Sequence, residues 1–81
     1  MRAHQKLHYA CTAQWLHDED GNPRRAYRLS VLDVSGEQPQ LLCAVNDICG
    51  DESEARQLEA LLRRNRVSPR HVIDVLEDWL I

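Results

Sequence analysis

Hydrophobic and polar positions alternate along the first half of the chain with the two-residue period of half-buried β-strands. The alternation covers residues 6–16 and 25–34, and a third, more evenly apolar run covers residues 40–48. Turn-forming residues fill the short stretches 18–23 and 35–39 between these runs. Because connections this short join antiparallel neighbours, the pattern predicts a three-stranded antiparallel β-meander.

The second half of the chain has the period of two amphipathic helices, over residues 51–65 and 69–81. Asp51 and Glu54 are spaced as a capping box for the first helix, and Ser68 followed by Pro69 is a typical start for the second. Arg56, Glu59 and Arg63 fall on the side of the first helix away from its apolar stripe. The two stripes consist of Ala55, Leu58, Leu61 and Leu62, and of Val72, Val75, Leu76, Trp79 and Leu80.

Helices with one apolar side need a surface on which to bury it. The sequence therefore predicts a single α+β domain over residues 1–81, with the helix hairpin packed on one face of the sheet. The other face would present a set of apolar residues, and residues 41–45 at a sheet edge carry no charge. We expect a homodimer joined through this face or by edge pairing, or a long N-terminal strand or loop that covers the face within one chain. The apolar residues of the second face are Ala10, Leu16, Ala26, Leu32, Val34, Leu42 and Ala44.

Composition narrows the classes of protein that fit. The chain carries ten Lys and Arg against thirteen Asp and Glu, a net charge of −3, which argues against general binding of polyanions. No apolar run approaches the roughly 20 residues that cross a bilayer, and the polar first residues lack the apolar block of a secretory signal, so we expect a cytoplasmic protein without a membrane partner. The odd set Cys11, Cys43 and Cys49 is typical of packed thiols and not of a disulfide framework.

An arginine cluster surrounds the link between the two helices and is a candidate contact for an anion or a partner. The plainer interpretation is that these side chains favour the dipole at the end of the first helix and pair with nearby acids. The spacing around the link also imitates a helix-turn-helix, so a small nucleic-acid-binding regulator stays an alternative, although the acids on the second helix would meet phosphates with like charge. The cluster consists of Arg63, Arg64, Arg66 and Arg70.

Metal binding and catalysis have less support. His4 and His8 on one strand would lie about 13 Å apart at roughly 3.3 Å per residue, and Cys11 would point to the opposite face. Cys43 or Cys49 could act as a nucleophile with His71 as its base, but nothing in the sequence brings these residues together. We therefore expect no metal, no cofactor and no enzymatic activity.

The segment Ser68 to Leu80 fits the pattern S-P-x-H-x-x-D-V-x-E-D-W/F-L. With Val45-Asn46-Asp47-Ile48 before it, the stretch Tyr27 to Ile81 resembles a family of short uncharacterised proteins of Clostridia and other Firmicutes that carry a domain of unknown function. The resemblance implies strands followed by two helices, and it implies no activity, cofactor or partner. It also marks a surface on the second helix made of His71, Asp74, Glu77 and Asp78.

No motif in the chain names an activity. The sequence as a whole favours a small non-enzymatic protein-interaction or adaptor module that acts through its sheet or helix surface.

Overall fold

A computed structural model describes residues 6–80 of the chain. Three strands form one antiparallel sheet in the order β1-β2-β3. They are β1 (Leu7–His17), β2 (Pro23–Asp33) and β3 (Gln40–Cys49). A helix, α1 (Glu52–Asn65), follows the sheet, and a 3₁₀ turn at Pro69–His71 leads into a second helix, α2 (Val72–Leu80). The predicted α+β class, a three-stranded meander followed by two helices, is confirmed.

The core lies between the helices and one face of the sheet. Tyr9, Leu29 and Val31 contribute from the strands, and Leu58 and Leu62 contribute from α1, each at most 3% exposed. Both predicted helical stripes are represented in the core: Ala55, Leu58, Leu62, Val72 and Leu76 are buried, while Leu61, Val75 and Trp79 are partly buried against them. The side chain of Leu80 lies outside the described residues. A hydrogen bond from the Tyr9 hydroxyl to the Val67 carbonyl ties β1 to the helix link.

The helix ends differ in part from the expected caps. The Asp51 side chain accepts a hydrogen bond from the Ser53 N–H at 3.2 Å, but the reciprocal capping bond from Glu54 is not formed within the described chain. The Ser68 side chain makes no capping bond, so that prediction is wrong. Pro69 instead fixes a 3₁₀ entry, in which the Ser68 carbonyl accepts from the His71 N–H at 2.9 Å.

The hairpin of β1 and β2 extends past the area that the helices cover. Trp15 falls in register with the inward-facing residues of β1, yet 68% of it is exposed, because its pairing with Arg25 places it near the hairpin end. The turn itself is held by the Asp18 carboxylate, which accepts from the Asn22 N–H at 2.8 Å. Gly21 has a φ of 81°, a conformation that favours glycine in this turn.

β3 is an irregular strand. Its pairing with β2 shifts register at two places, between Tyr27 and Leu29 and between Val31 and Leu32. The first shift includes Asp47, whose φ is 57°. Because bulges interrupt and twist a strand, the free edge of β3 offers only a short regular segment for pairing with another chain.

Candidate binding surfaces

The structure divides the predicted arginine cluster between two places. Arg63 and Arg66 line an open cleft of about 520 Å³ together with Lys6, Leu7 and Tyr9. Arg70 lines a separate, more open hollow of about 560 Å³ with Leu42, Ser68, Pro69 and His71. Arg64 lines neither of these two cavities. The four arginines thus do not form one continuous site.

The arginines of the cluster have no acidic partner within residues 6–80, so the expected pairing with nearby acids is wrong. The expected position at the end of the first helix is correct, since Arg63 and Arg64 occupy its last turn. Arg66 terminates the helix in the left-handed conformation, at a φ of 49°, and its N–H donates to the Arg63 carbonyl at 3.3 Å. No acidic side chain within residues 6–80 therefore neutralises Arg63, Arg64 or Arg66.

Two charged side chains of α1 cover part of the free edge of β1. The Cys11 N–H donates to Glu59 Oε2 at 2.5 Å, and Arg56 Nη1 donates to the Cys11 carbonyl at 3.1 Å. The same Arg56 nitrogen lies 2.8 Å from Glu59 Oε2. The Glu59 side chain is only 13% exposed, whereas the helical pattern had placed it on the side away from the core. Helical period alone carries no signal for this contact, because it depends on where α1 crosses the strand.

The signature surface lies along the outer side of α2 and is open to solvent. His71, Asp74, Glu77 and Asp78 are all exposed. His71 Nδ1 lies 3.6 Å from Asp74 Oδ2, and the two side chains are 64% and 75% exposed. A contact this exposed contributes little to stability. These residues therefore form an accessible, mainly acidic surface.

A polar bridge crosses one end of the open sheet face, the face away from the helices. Gln14 Oε1 on β1 accepts from the Asp47 N–H on β3 at 3.1 Å, across the middle strand at Ala26. Arg24 forms two bonds to the Asp47 carboxylate, at 3.1 and 2.6 Å, and this hydrogen bonding lowers the pKa of Asp47. Ala26 was expected to be exposed, but it is 0% exposed. The Gln14 side chain crosses β2 at this residue to reach the main chain of β3.

Within residues 6–80, no helix covers the rest of the open face. Ala10, Ser30 and Ala44 stand opposite one another on the three strands and form a row of short side chains. Leu32 lies beside this row, paired with His8 on one side and Leu41 on the other. Ala10, Ser30 and Leu32 are half-buried and Ala44 is exposed.

One buried polar atom on this face has no partner in the part of the chain that the structure describes. Arg28 stands between Thr12 on β1 and the bulge of β3, and its Nε is buried without a hydrogen bond. A buried donor without an acceptor is costly, so an acceptor brought by another molecule would stabilise this site.

Burial disfavours the reactive thiolate form of two of the three cysteines. Burial is the main cause that raises the pKa of Cys11 to about 12, and burial also raises the pKa of Cys49. Cys11, Cys43 and Cys49 are free thiols, and within residues 6–80 no hydrogen bond joins any of them to His71.

The part of the chain that the structure describes, residues 6–80, contains no group of three His, Cys, Asp or Glu residues that could hold a metal ion. His4 of the predicted motif lies outside that part, while His8 is exposed on the open face and Cys11 is buried on the other. None of its helices has the length and apolar character needed to cross a membrane.

The fold and these surfaces define a small α+β domain with an uncovered sheet face and a basic cleft. The chain belongs to a family of unknown function, DUF6514, whose model matches residues 2–81. The match includes β1, which the resemblance over Tyr27 to Ile81 did not cover. Comparisons with curated proteins and with solved structures found no match.

Proposed function

We propose that this domain is a non-enzymatic protein-interaction module that works as a homodimer, with the open sheet faces of two copies packed together. The observation that carries the proposal is the row of short side chains Ala10, Ser30 and Ala44, which no helix within residues 6–80 covers. Short side chains let two sheets approach closely, and the aligned packing of two sheet faces is a common way to bury them. A twofold axis would match this surface with itself.

The size of the face is sufficient for a weak dimer. Strands of 11 residues at roughly 3.3 Å per residue, in a sheet about 14 Å wide, give roughly 500 Å² on each copy. Two copies would bury about 1,000 Å², which is near the lower limit for a specific interface. We therefore expect a dissociation constant in the micromolar range.

The sheet edges are less suitable for this association. Arg56 and Glu59 occupy the edge of β1 at Cys11, and two bulges interrupt β3. Face packing also brings new hydrogen-bond acceptors toward Arg28, whose Nε has none within residues 6–80. The hydroxyl groups of Ser30 and Thr12 on the second copy can accept a hydrogen bond of this kind.

The raised pKa values of Cys11 and Cys49 support the non-enzymatic part of the proposal, because a thiolate is the reactive form of cysteine. We also propose a cytoplasmic location. Three free thiols are typical of a reducing compartment. Recovery of the protein from cells in a disulfide-linked form would contradict this location.

Sedimentation equilibrium over a range from micromolar to several hundred micromolar tests the dimer. The average mass should rise with concentration from the 9.4 kDa of the chain toward twice that value. Ala44→Glu places a charge in the packed row and should weaken association at least a hundredfold. Gln57→Glu adds the same charge on the exposed side of α1 and should leave association unchanged. A native chain that stays monomeric at several hundred micromolar would refute the proposal.

The surface of α2 is a second possible contact of such a module. We propose that the family shares the S-P-x-H-x-x-D-V-x-E-D-W/F-L pattern among its bacterial members. His71, Asp74, Glu77 and Asp78 would then form an exposed contact surface common to them. Family sequences that keep both helices but lack these four residues would contradict the idea.

Nucleic-acid binding is the second candidate function, favoured by the lack of acidic partners around Arg63, Arg64, Arg66 and Arg70. The acidic outer side of α2 opposes it, because phosphates would meet like charge. A gel-shift assay with random duplex DNA at low salt tests it. Retardation at micromolar protein that is lost in Arg64→Gln/Arg70→Gln would support this candidate, and no retardation would remove it.

A further inference from the structure

A row of charged side chains runs along α1 above the free edge of β1. Arg56, Glu59 and Arg63 follow one another at steps of three and four residues, which places them on one side of the helix, and Arg66 follows at its C-cap. The first two contact β1 at Cys11, and the last two line the cleft beside Leu7 and Lys6. The row therefore follows the edge from a closed part at Cys11, where side chains of α1 bond to the backbone of β1, to an open part at Lys6 and Leu7, where the cleft lies.

In the closed part, the two side chains take the place of a neighbouring strand. The carboxylate of Glu59 accepts the Cys11 N–H, and the guanidinium of Arg56 donates to the Cys11 carbonyl. Arg56 also holds the carboxylate at 2.8 Å. A carboxylate paired with an arginine thus satisfies the backbone of this edge strand.

In the open part, no Asp or Glu of residues 6–80 lines the cleft beside the edge of β1. The Lys6 carbonyl accepts from the Val34 N–H at 2.8 Å and so faces β2. Because alternate residues of a strand direct their N–H and C=O groups to opposite sides, those of Leu7 and Tyr9 face outward, as those of Cys11 do. Arg63, Arg66 and Lys6 surround this segment, and within residues 6–80 none of the three has an acidic partner.

We propose that the cleft binds an Asp or Glu carboxylate from an extended segment of a partner protein, laid along β1 at Leu7–Tyr9. The carboxylate accepts an outward N–H of the strand and pairs with Arg63 and Arg66, as Glu59 does with Cys11 and Arg56. The main chain of the segment meets the remaining outward groups of β1, a recognised mode of peptide binding. The cleft, at about 520 Å³, has room for such a side chain.

Several features favour a protein carboxylate over nucleic acid. The ring of Tyr9 is 3% exposed, so it cannot serve as a platform on which a base stacks. Of the cations within residues 6–80, three line the cleft, and Arg64 and Arg70 lie outside it. The chain is also acidic overall, at −3. A short acidic segment fits this small basic area better than a long polyanion does.

The test uses the full-length protein labelled with ¹⁵N and a ten-residue peptide of alternating Glu and Val. A matched peptide of alternating Gln and Val and a single-stranded DNA of ten nucleotides serve as competitors of different chemistry. The Glu peptide should bind and should shift the amide signals of Leu7 and Tyr9 most strongly. Its affinity should fall as salt is added. Equal binding of the Gln peptide, or tighter binding of the DNA, would overturn the proposal.

Two double variants separate the cleft from general positive charge. Arg63→Gln/Arg66→Asn removes both arginines of the cleft, with Asn chosen because it tolerates the left-handed conformation at this position. This double variant should bind the Glu peptide at least tenfold more weakly than the native chain does. Arg64→Gln/Arg70→Gln removes the same charge outside the cleft and should change the affinity less than twofold. Equal effects of the two variants would overturn the proposal, and thermal melting confirms that both are folded.

Discussion

Replacing Glu59 by alanine measures how strongly α1 closes the edge of β1. The Glu59 carboxylate is 13% exposed and accepts the Cys11 N–H at 2.5 Å while it pairs with Arg56 at 2.8 Å. A hydrogen bond to a charged group contributes about 1.5–3 kcal/mol. At roughly 4–8 °C per kcal/mol for a domain of this size, Glu59→Ala should lower Tm by roughly 6–24 °C.

Guanidinium denaturation of three variants isolates the cause of this loss. Glu59→Gln keeps an acceptor oxygen and should lose less stability than Glu59→Ala. Glu77→Ala removes an exposed acid of α2 and should change the free energy of unfolding by less than about 0.5 kcal/mol. Hydrogen exchange of the Cys11 amide should accelerate in Glu59→Ala. The reasoning fails if Glu59→Ala is as stable as Glu77→Ala and the exchange of Cys11 is unchanged.

The remaining predictions concern the core, one thiol and the sheet bridge. Leu62→Ala, at a site with 0% exposure, should cost about 2–5 kcal/mol in denaturant unfolding, and a cost under about 1 kcal/mol would contradict tight packing there. Burial raises the pKa of Cys11 from 9.0 to about 12. As the pH rises, the Cys11 thiol therefore ionises at a lower pH in the unfolded chain than in the folded one. The stabilisation from burying the neutral thiol is complete below pH 9, and the free energy of unfolding should fall between pH 9 and 12. Cys11→Ala should show a smaller fall over this range, and an equal fall in both proteins would contradict the assignment. Ala26→Leu should displace Gln14 from the Asp47 N–H and accelerate exchange of that amide, whereas unchanged exchange would show that the bridge does not depend on a small residue.

The sequence predicts the fold because its signals are local. Alternation along residues 25–34 and helical spacing of Leu58 and Leu62 each identify an element and its buried side without knowledge of the rest. Single-sided stripes then require that the helices pack on the sheet. These inferences need only the period of each segment.

The surface contacts could not be predicted, because they depend on how the elements meet. Glu59 is an ordinary charged position of a helix until α1 is placed over the β1 edge. Ala26 is buried where a bulge presents the Asp47 N–H to Gln14 across β2. The arginine cluster divides because Arg66 ends α1 in the left-handed conformation and a 3₁₀ turn carries Arg70 to the side of Leu42.

Isotope-filtered NMR on a mixture of labelled and unlabelled chains tests the packing of two sheet faces most directly. The account predicts cross-peaks between copies from the methyl groups of Ala10, Leu32 and Ala44. It predicts no such cross-peaks from Leu58 and Leu62, which are buried within one chain. Cross-peaks between copies that come only from the helices, or none at concentrations of several hundred micromolar, would contradict the account.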